Sequence, residues 1–316
     1  MDVRSGHLSG LLHLPRPPMH LHQERYALRH PALFGMPFLL RERGGRHALP
    51  VSPVSAPADL DGFASFAFTH EGKTRPVYRR GTGPAVVVMH EIPGITPEVA
   101  AFAARVANHG YTVMMPSLFG EVGRPFSVPY ALGQIARACV SREFSVWAAN
   151  ASSPITDWLR ALCRFAHAEL GGRGVGAIGM CLTGNFALSM MIDPVVMAPV
   201  LSQPSLPFPA GAARKSGLHI SDNELAIIKK RVSEGACVLG LRFTGDRAVP
   251  SERFERLASE LGDGFRAIEL DSSAGNAHGI RGAAHAVLTR DLVDQEGHPT
   301  REALDAVLRF FDERLK

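Results

Sequence analysis

The chain has 316 residues, of which 46% are hydrophobic and 20% charged, so it is long and apolar enough to build one large core. The net charge of +4 comes from residues 1–50; the remainder holds 27 basic and 27 acidic residues, which argues against nucleic-acid binding. No apolar stretch is long enough to span a membrane and none is typical of a secretory signal, so we expect a cytoplasmic protein.

The first 60 residues differ in composition from the rest of the chain. They contain six of the fourteen histidines, with repeated Pro and Arg, and show no sustained helical or strand period. This predicts a poorly ordered N-terminal extension over residues 1–60, or a misassigned start, followed by one folded domain over 61–316. The four cysteines form no CxxC pair, so neither a metal nor another cofactor is expected.

Strands and helices alternate after about Phe63. The predicted strands span 63–68, 74–78, 85–89, 112–115, 175–180, 195–201, 236–243 and 265–270. The predicted helices start near Thr96, Pro154, Leu182, Ser221, Pro250 and Thr300, with Thr96 as an N-cap and Ser221 with Glu224 as a capping box. This alternation predicts an α/β fold, in which a mostly parallel, doubly wound sheet carries helices on both faces.

The most informative segment is the apolar strand that leads into Gly179-Met180-Cys181-Leu182-Thr183-Gly184 and then into a helix. This context is typical of the nucleophile elbow of α/β-hydrolases, where a sharp turn exposes the nucleophile between small neighbours. The free N–H groups at the start of the helix favour a thiolate at Cys181. Thr183 is bulkier than the Gly usual at its position, so the fit to the elbow is imperfect.

Partners for Cys181 follow in the chain order of α/β-hydrolases, in which the acid precedes the histidine. Asp246 comes after a strand end in Thr244-Gly245-Asp246, where it could orient a histidine. Two histidines follow the last strand, and we favour His285 over the alternative base His278. A turn role for Asp246 and a structural role for Cys181 are the competing interpretations.

The loop after an early strand supplies the remaining candidates. The backbone N–H of Ile92 and that of Leu182 are the expected oxyanion donors. Glu91, in the same loop as Ile92, is expected to hold the Cys181 thiol or to accept its proton, unless it is an ordinary surface acid.

These motifs resemble the dienelactone hydrolase family: Glu91-Ile92-Pro93-Gly94, the Cys181 elbow, Gly245-Asp246-Arg247-Ala248-Val249-Pro250 and a late histidine. The resemblance covers residues 62–316. It implies a triad of Cys181, His285 and Asp246, with Glu91 as a fourth partner, and hydrolysis of a small ester or lactone through an acyl-enzyme.

The resemblance also implies arginines that bind a substrate carboxylate, for which Arg124, Arg142 and Arg281 are candidates. The expected partner is a small-molecule substrate, with no nucleic acid and no membrane, and the protein is expected to be a monomer or homodimer. The alternatives are a general carboxylesterase or thioesterase, a non-catalytic ligand-binding protein on the same fold and, more weakly, a thiol redox protein.

Overall fold

The computed structural model describes residues 60–144, 152–205 and 211–316. The N-terminal extension predicted over residues 1–60 therefore falls almost wholly outside the described residues. Within the described part of the chain, no helix is long and apolar enough to cross a membrane.

Eight strands form one sheet in the described residues. Their bounds are β1 Ala64–His70, β2 Lys73–Arg80, β3 Ala85–Met89, β4 Thr112–Pro116, β5 Val175–Met180, β6 Val196–Ser202, β7 Val238–Phe243 and β8 Phe265–Leu270. The order is β1-β2-β4-β3-β5-β6-β7-β8; β2 pairs antiparallel with β1 and β4, and the six strands from β4 to β8 run parallel. The predicted mostly parallel sheet is confirmed.

Helices cover both faces of this sheet. Their bounds are α1 Pro97–Asn108, α2 Val128–Val140, α3 Ile155–Leu170, α4 Gly184–Met190, α5 Ala212–Lys215, α6 Asp222–Ser233, α7 Ser251–Leu261 and α8 Pro299–Leu315. Helices α3, α4, α6 and α7 contribute to the core on one face, and α1 and α8 to the core on the other. Strand β3 is buried on both faces because Val87 and Met89 pack into the first core while Val86 and Val88 pack into the second.

The helix starts follow the local sequence. The Thr96 side chain accepts a hydrogen bond from the N–H of Val99, and Ser221 and Glu224 form a reciprocal capping box. Both predicted caps are confirmed. Helix α2 was not predicted, and it carries part of the site described next.

The parallel strands bring their following loops to one edge of the sheet. The segments after β3, β5, β6, β7 and β8 start from the carboxyl ends of strands that are neighbours in the sheet. In open α/β sheets, this edge is where binding and catalytic groups collect.

Candidate active site

Cys181 stands at the turn between β5 and α4. Its φ of 57° lies in the left-handed region, which a non-glycine residue adopts only when its surroundings impose it. A Cβ at Gly179 would lie 2.0 Å from the carbonyl oxygen of Thr183, so no larger residue fits there. The turn therefore has the strained backbone and the small neighbour of a nucleophile elbow.

Thr183, which the sequence suggested was a poor elbow residue, has a specific structural role. Its buried hydroxyl accepts a hydrogen bond from the N–H of Met180 at 2.8 Å. The same hydroxyl lies 3.1 Å from the carbonyl oxygens of both Met89 and His90, at the end of β3. Thr183 thus joins the elbow to the loop that carries Glu91 and Ile92, and its hydroxyl explains the departure from glycine.

His285 and Asp246 meet at the cavity wall. The Nδ1 atom of His285 lies 2.6 Å from Oδ2 of Asp246, while Oδ1 of Asp246 accepts a hydrogen bond from the N–H of Ala248 at 2.9 Å. The N–H of His285 donates to Asp291, which fixes the backbone of this loop. The imidazole and Cys181 line the same cavity.

The surroundings of His285 favour its imidazolium form. Burial alone would lower the pKa of His285, but the nearby Cys181 and the hydrogen bond to Asp246 outweigh burial and hold this pKa well above its usual value.

The alternative base, His278, lies elsewhere. Its side chain is exposed and its ring stands 5.5 Å from that of His298, centroid to centroid. It borders other depressions of the surface and not the cavity that contains Cys181. The structure therefore brings His285, and not His278, to Asp246 and Cys181.

Glu91 is buried in the wall of the same cavity, but its side-chain hydrogen bonds are to Thr289 and Gln203 and not to the sulfur. One carboxylate oxygen accepts from the Thr289 hydroxyl at 2.5 Å and the other from the Gln203 amide at 3.3 Å. Burial raises the pKa of Glu91 and outweighs these hydrogen bonds and the nearby charges of His285 and Arg290. Among the described residues, the hydrogen-bond partner of the sulfur is the Ser205 hydroxyl at 3.0 Å.

The cavity has a volume of about 440 Å³ and joins these groups to an apolar wall. That wall comes from α2 and the segment before it, with Phe126, Val128, Ala131, Leu132 and Ile135. Ile92 and Leu182, the expected oxyanion donors, both line it. Within the described residues, the N–H of Ile92 donates to no protein acceptor, so it is available to a ligand.

The arginine of the cavity is not one of those expected. Arg290 lines the cavity, with its guanidinium 4.1 Å from the centroid of the Phe126 ring. Arg124 instead pairs with Glu121 at 2.9 Å, and the 73% exposed Arg281 pairs with Asp291 at 2.7 Å. Arg124, Arg142 and Arg281 do not line the cavity.

Sequence reasoning also missed Gln203, Ser205 and Thr289. Thr289 and Arg290 follow His285 by four and five residues, so the proximity of the histidine was the available signal. Gln203 and Ser205 follow β6 without any motif. Among the residues that the structure describes, no group of three or more His, Cys, Asp or Glu could hold a metal ion.

The sheet and the elbow define the α/β-hydrolase fold. The chain belongs to the dienelactone hydrolase family, whose family model matches residues 74–315. It is 24% identical over 187 residues to a Saccharomyces cerevisiae (strain ATCC 204508 / S288c) protein named "Putative carboxymethylenebutenolidase". That match covers 59% of this chain and 66%, just under two thirds, of the yeast protein.

Solved structures show the same fold. A Klebsiella pneumoniae structure titled "Putative Dienelactone Hydrolase" is 17% identical with a TM-score of 0.56, covering 79% of this chain and 98% of that one. An esterase of Pyrococcus furiosus is 13% identical with a TM-score of 0.53, covering 83% and 97%. The confirmed family resemblance therefore extends to the architecture.

Proposed function

We propose that this protein hydrolyses a small carboxylic ester or lactone through a Cys181–His285–Asp246 triad and an acyl-enzyme. One observation carries the proposal: Asp246 lies 2.6 Å from Nδ1 of His285, and this pair lines the same cavity as Cys181. A nucleophile, a base and a group that orients the base are the components that acyl transfer needs.

The first half-reaction forms a thioester. The Cys181 thiolate attacks the acyl carbon, and the carbonyl electron pair moves to oxygen. The N–H groups of Ile92 and Leu182 stabilise this oxyanion, an interaction worth about 3–4 kcal/mol per donor in comparable sites. As the carbonyl re-forms, the bond to the alcohol oxygen breaks and the His285 imidazolium gives its proton to that oxygen.

The second half-reaction releases the acid. Neutral His285 removes a proton from a water molecule, whose oxygen attacks the thioester carbon. The carbon–sulfur bond breaks, Cys181 leaves as the thiolate and His285 remains protonated, which restores the starting pair. Asp246 keeps the imidazole in one orientation through both steps and stabilises its positive form.

The cavity supports a small, mainly apolar substrate. Its volume of about 440 Å³ lies at the lower end of the range of ligand pockets. The α2 side contributes only apolar side chains, while Arg290 supplies a positive charge at the wall. A small ester or lactone whose apolar part faces α2 fits this arrangement.

The test is Cys181→Ala, assayed on a panel of short p-nitrophenyl esters and small lactones. We expect kcat/KM to fall by about 10³-fold or more, because the nucleophile is lost, with an unchanged melting temperature. The matched control is Cys237→Ala, at the opposite edge of the sheet, which should keep its turnover. Retained hydrolysis in Cys181→Ala would refute the assignment.

A thioesterase or a general carboxylesterase is the second candidate, because the apolar wall also suits an acyl chain. Both use the same triad chemistry, so only substrate preference separates them. A panel of esters and thioesters of increasing chain length distinguishes the candidates: optimal kcat/KM on long acyl chains excludes a small-lactone enzyme.

A further inference from the structure

Ser205 stands beside the nucleophile without belonging to the proposed triad. It follows β6, is 5% exposed and lines the same cavity as Cys181. Its Oγ lies 3.0 Å from Sγ of Cys181, close for a hydrogen bond to sulfur. Among the described residues, Cys181 is the only hydrogen-bond partner of this hydroxyl.

The backbone around Ser205 is fixed on both sides. Its N–H donates to the carbonyl oxygen of Cys181 at 3.0 Å, and its own carbonyl accepts from the Asn185 amide at 2.7 Å. The guanidinium of Arg253, 1% exposed, donates to the preceding carbonyl, that of Pro204, at 2.6 Å. These three bonds connect the segment to the elbow, to α4 and to α7, so the hydroxyl is held at the sulfur.

The direction of this hydrogen bond follows from the proposed triad, in which the sulfur attacks as a thiolate beside the imidazolium of His285. A thiolate can accept hydrogen bonds but cannot donate one, so the hydroxyl is the donor. Hydrogen bonds to a charged group are the stronger kind.

We propose, building on the triad proposed above, that Ser205 is a positioning residue that donates a second hydrogen bond to the Cys181 thiolate. His285 and Ser205 then hold the sulfur between two donors in the free enzyme. Acylation removes the charge from the sulfur, and the hydroxyl hydrogen bond weakens. Deacylation returns the charge, and Ser205 assists departure of the thiolate.

The test measures the thiolate directly, without an ester substrate. Iodoacetamide alkylation of the Cys181 peptide is followed by mass spectrometry from pH 4 to 10. Loss of one donor to the anion should move the midpoint of alkylation in Ser205→Ala upward by about one pH unit. The acid limb of kcat/KM should move by the same amount. Ser205→Thr keeps the hydroxyl and should titrate near the wild-type midpoint.

Ser189→Ala is the matched control, because Ser189 is a buried serine of α4 whose hydroxyl bonds to Thr156 and Glu224. It should leave the alkylation midpoint unchanged, whatever it does to the melting temperature. Ser205→Gly provides a second hydroxyl-free variant if Ser205→Ala does not fold. An unshifted midpoint in a folded Ser205 variant overturns the proposal.

This outcome is distinguishable from failure of the hydrolase proposal. If Cys181→Ala keeps full turnover while Ser205→Ala shifts the alkylation midpoint, the triad is wrong and the Ser205 hydrogen bond stands. If Cys181→Ala is inactive and the midpoint does not shift, the triad stands and the role of Ser205 is wrong.

Discussion

Two helices near the candidate active site are built in opposite ways. All seven residues of α4, which follows the nucleophile, are buried. Helix α2 buries only three of its thirteen residues, and Val128 and Leu132 remain 62% and 60% exposed on it. The helix next to the reacting atoms is therefore enclosed by the core, whereas the helix opposite them rests on the surface.

This difference indicates that one region carries out the reaction and the other selects the substrate. Groups that must be held to fractions of an ångström stand at strand ends and on a buried helix, where packing and hydrogen bonds fix them. A helix with few buried residues can move or change its side chains at little cost to the fold. We infer that α4 and the strand-end loops determine the rate of the reaction, and that α2 determines which ester enters.

The largest expected effect tests the strand-end region. His285→Ala removes the base, and we expect kcat/KM to fall by about 10⁴-fold, as in other triads. His278→Ala removes the other late histidine, which is exposed and outside the cavity, and its kcat/KM should stay within about twofold of wild type. Steady-state kinetics of both variants decides the assignment, and a larger loss in His278→Ala would reverse it.

Glycine substitutions compare the end of β5, next to the nucleophile, with α2. Gly179→Ala places a Cβ 2.0 Å from the Thr183 carbonyl oxygen, so we expect a loss of about 4 kcal/mol in unfolding free energy. Gly133→Ala lies within α2, where a Cβ meets nothing within 4 Å, and should raise stability by about 0.5–1 kcal/mol. Urea denaturation measures the change in unfolding free energy of each variant. An equal change in the two variants would contradict the predicted difference between the two positions.

The next largest effect is a loss of stability in acid, caused by His90, a buried residue that follows β3. Burial lowers the pKa of His90 to about 4, from 6.5. The unfolded chain therefore binds a proton at pH values where the folded chain does not, and stability is lost as pH falls from 6.5 to 4. Two and a half pKa units correspond to about 3 kcal/mol. Denaturation of the wild-type protein at pH 7 and 4.5 measures this loss of stability. His90→Gln should show a smaller difference in unfolding free energy between the two pH values.

The smallest effect is expected on α2. Leu132 lines the cavity, so Leu132→Ser should raise KM for apolar esters about threefold while leaving kcat and stability nearly unchanged. Val140→Ser is the control, because Val140 is 83% exposed on the same helix and does not line the cavity. A kcat loss in Leu132→Ser would mean that α2 takes part in the chemistry.

The sequence predicted the fold well because each signal was local. Buried strands appeared as continuous apolar runs, and the Thr96 and Ser221 caps marked helix starts. The strand–turn–helix context alone singled out Cys181. Helix α2 was missed although Val128, Ala131, Leu132 and Ile135 have helical spacing, because this apolar pattern is short.

The remaining parts of the site depend on contacts across long sequence separations. Gln203 reaches Glu91 from 112 residues away, and Thr289 from 198. No local residue pattern predicts that the Glu91 carboxylate bonds to Gln203 and Thr289 instead of to the expected Cys181 thiol. Ser205 likewise acquires its place beside Cys181 only when β6 pairs with β5.

The Thr183 hydroxyl has a mechanical consequence. It links the turn that carries Leu182 to the segment that carries Ile92. The two N–H groups proposed as oxyanion donors therefore belong to segments that one side chain joins. A single hydroxyl, at a position where the sequence led us to expect glycine, thus restrains the spacing of the proposed donors.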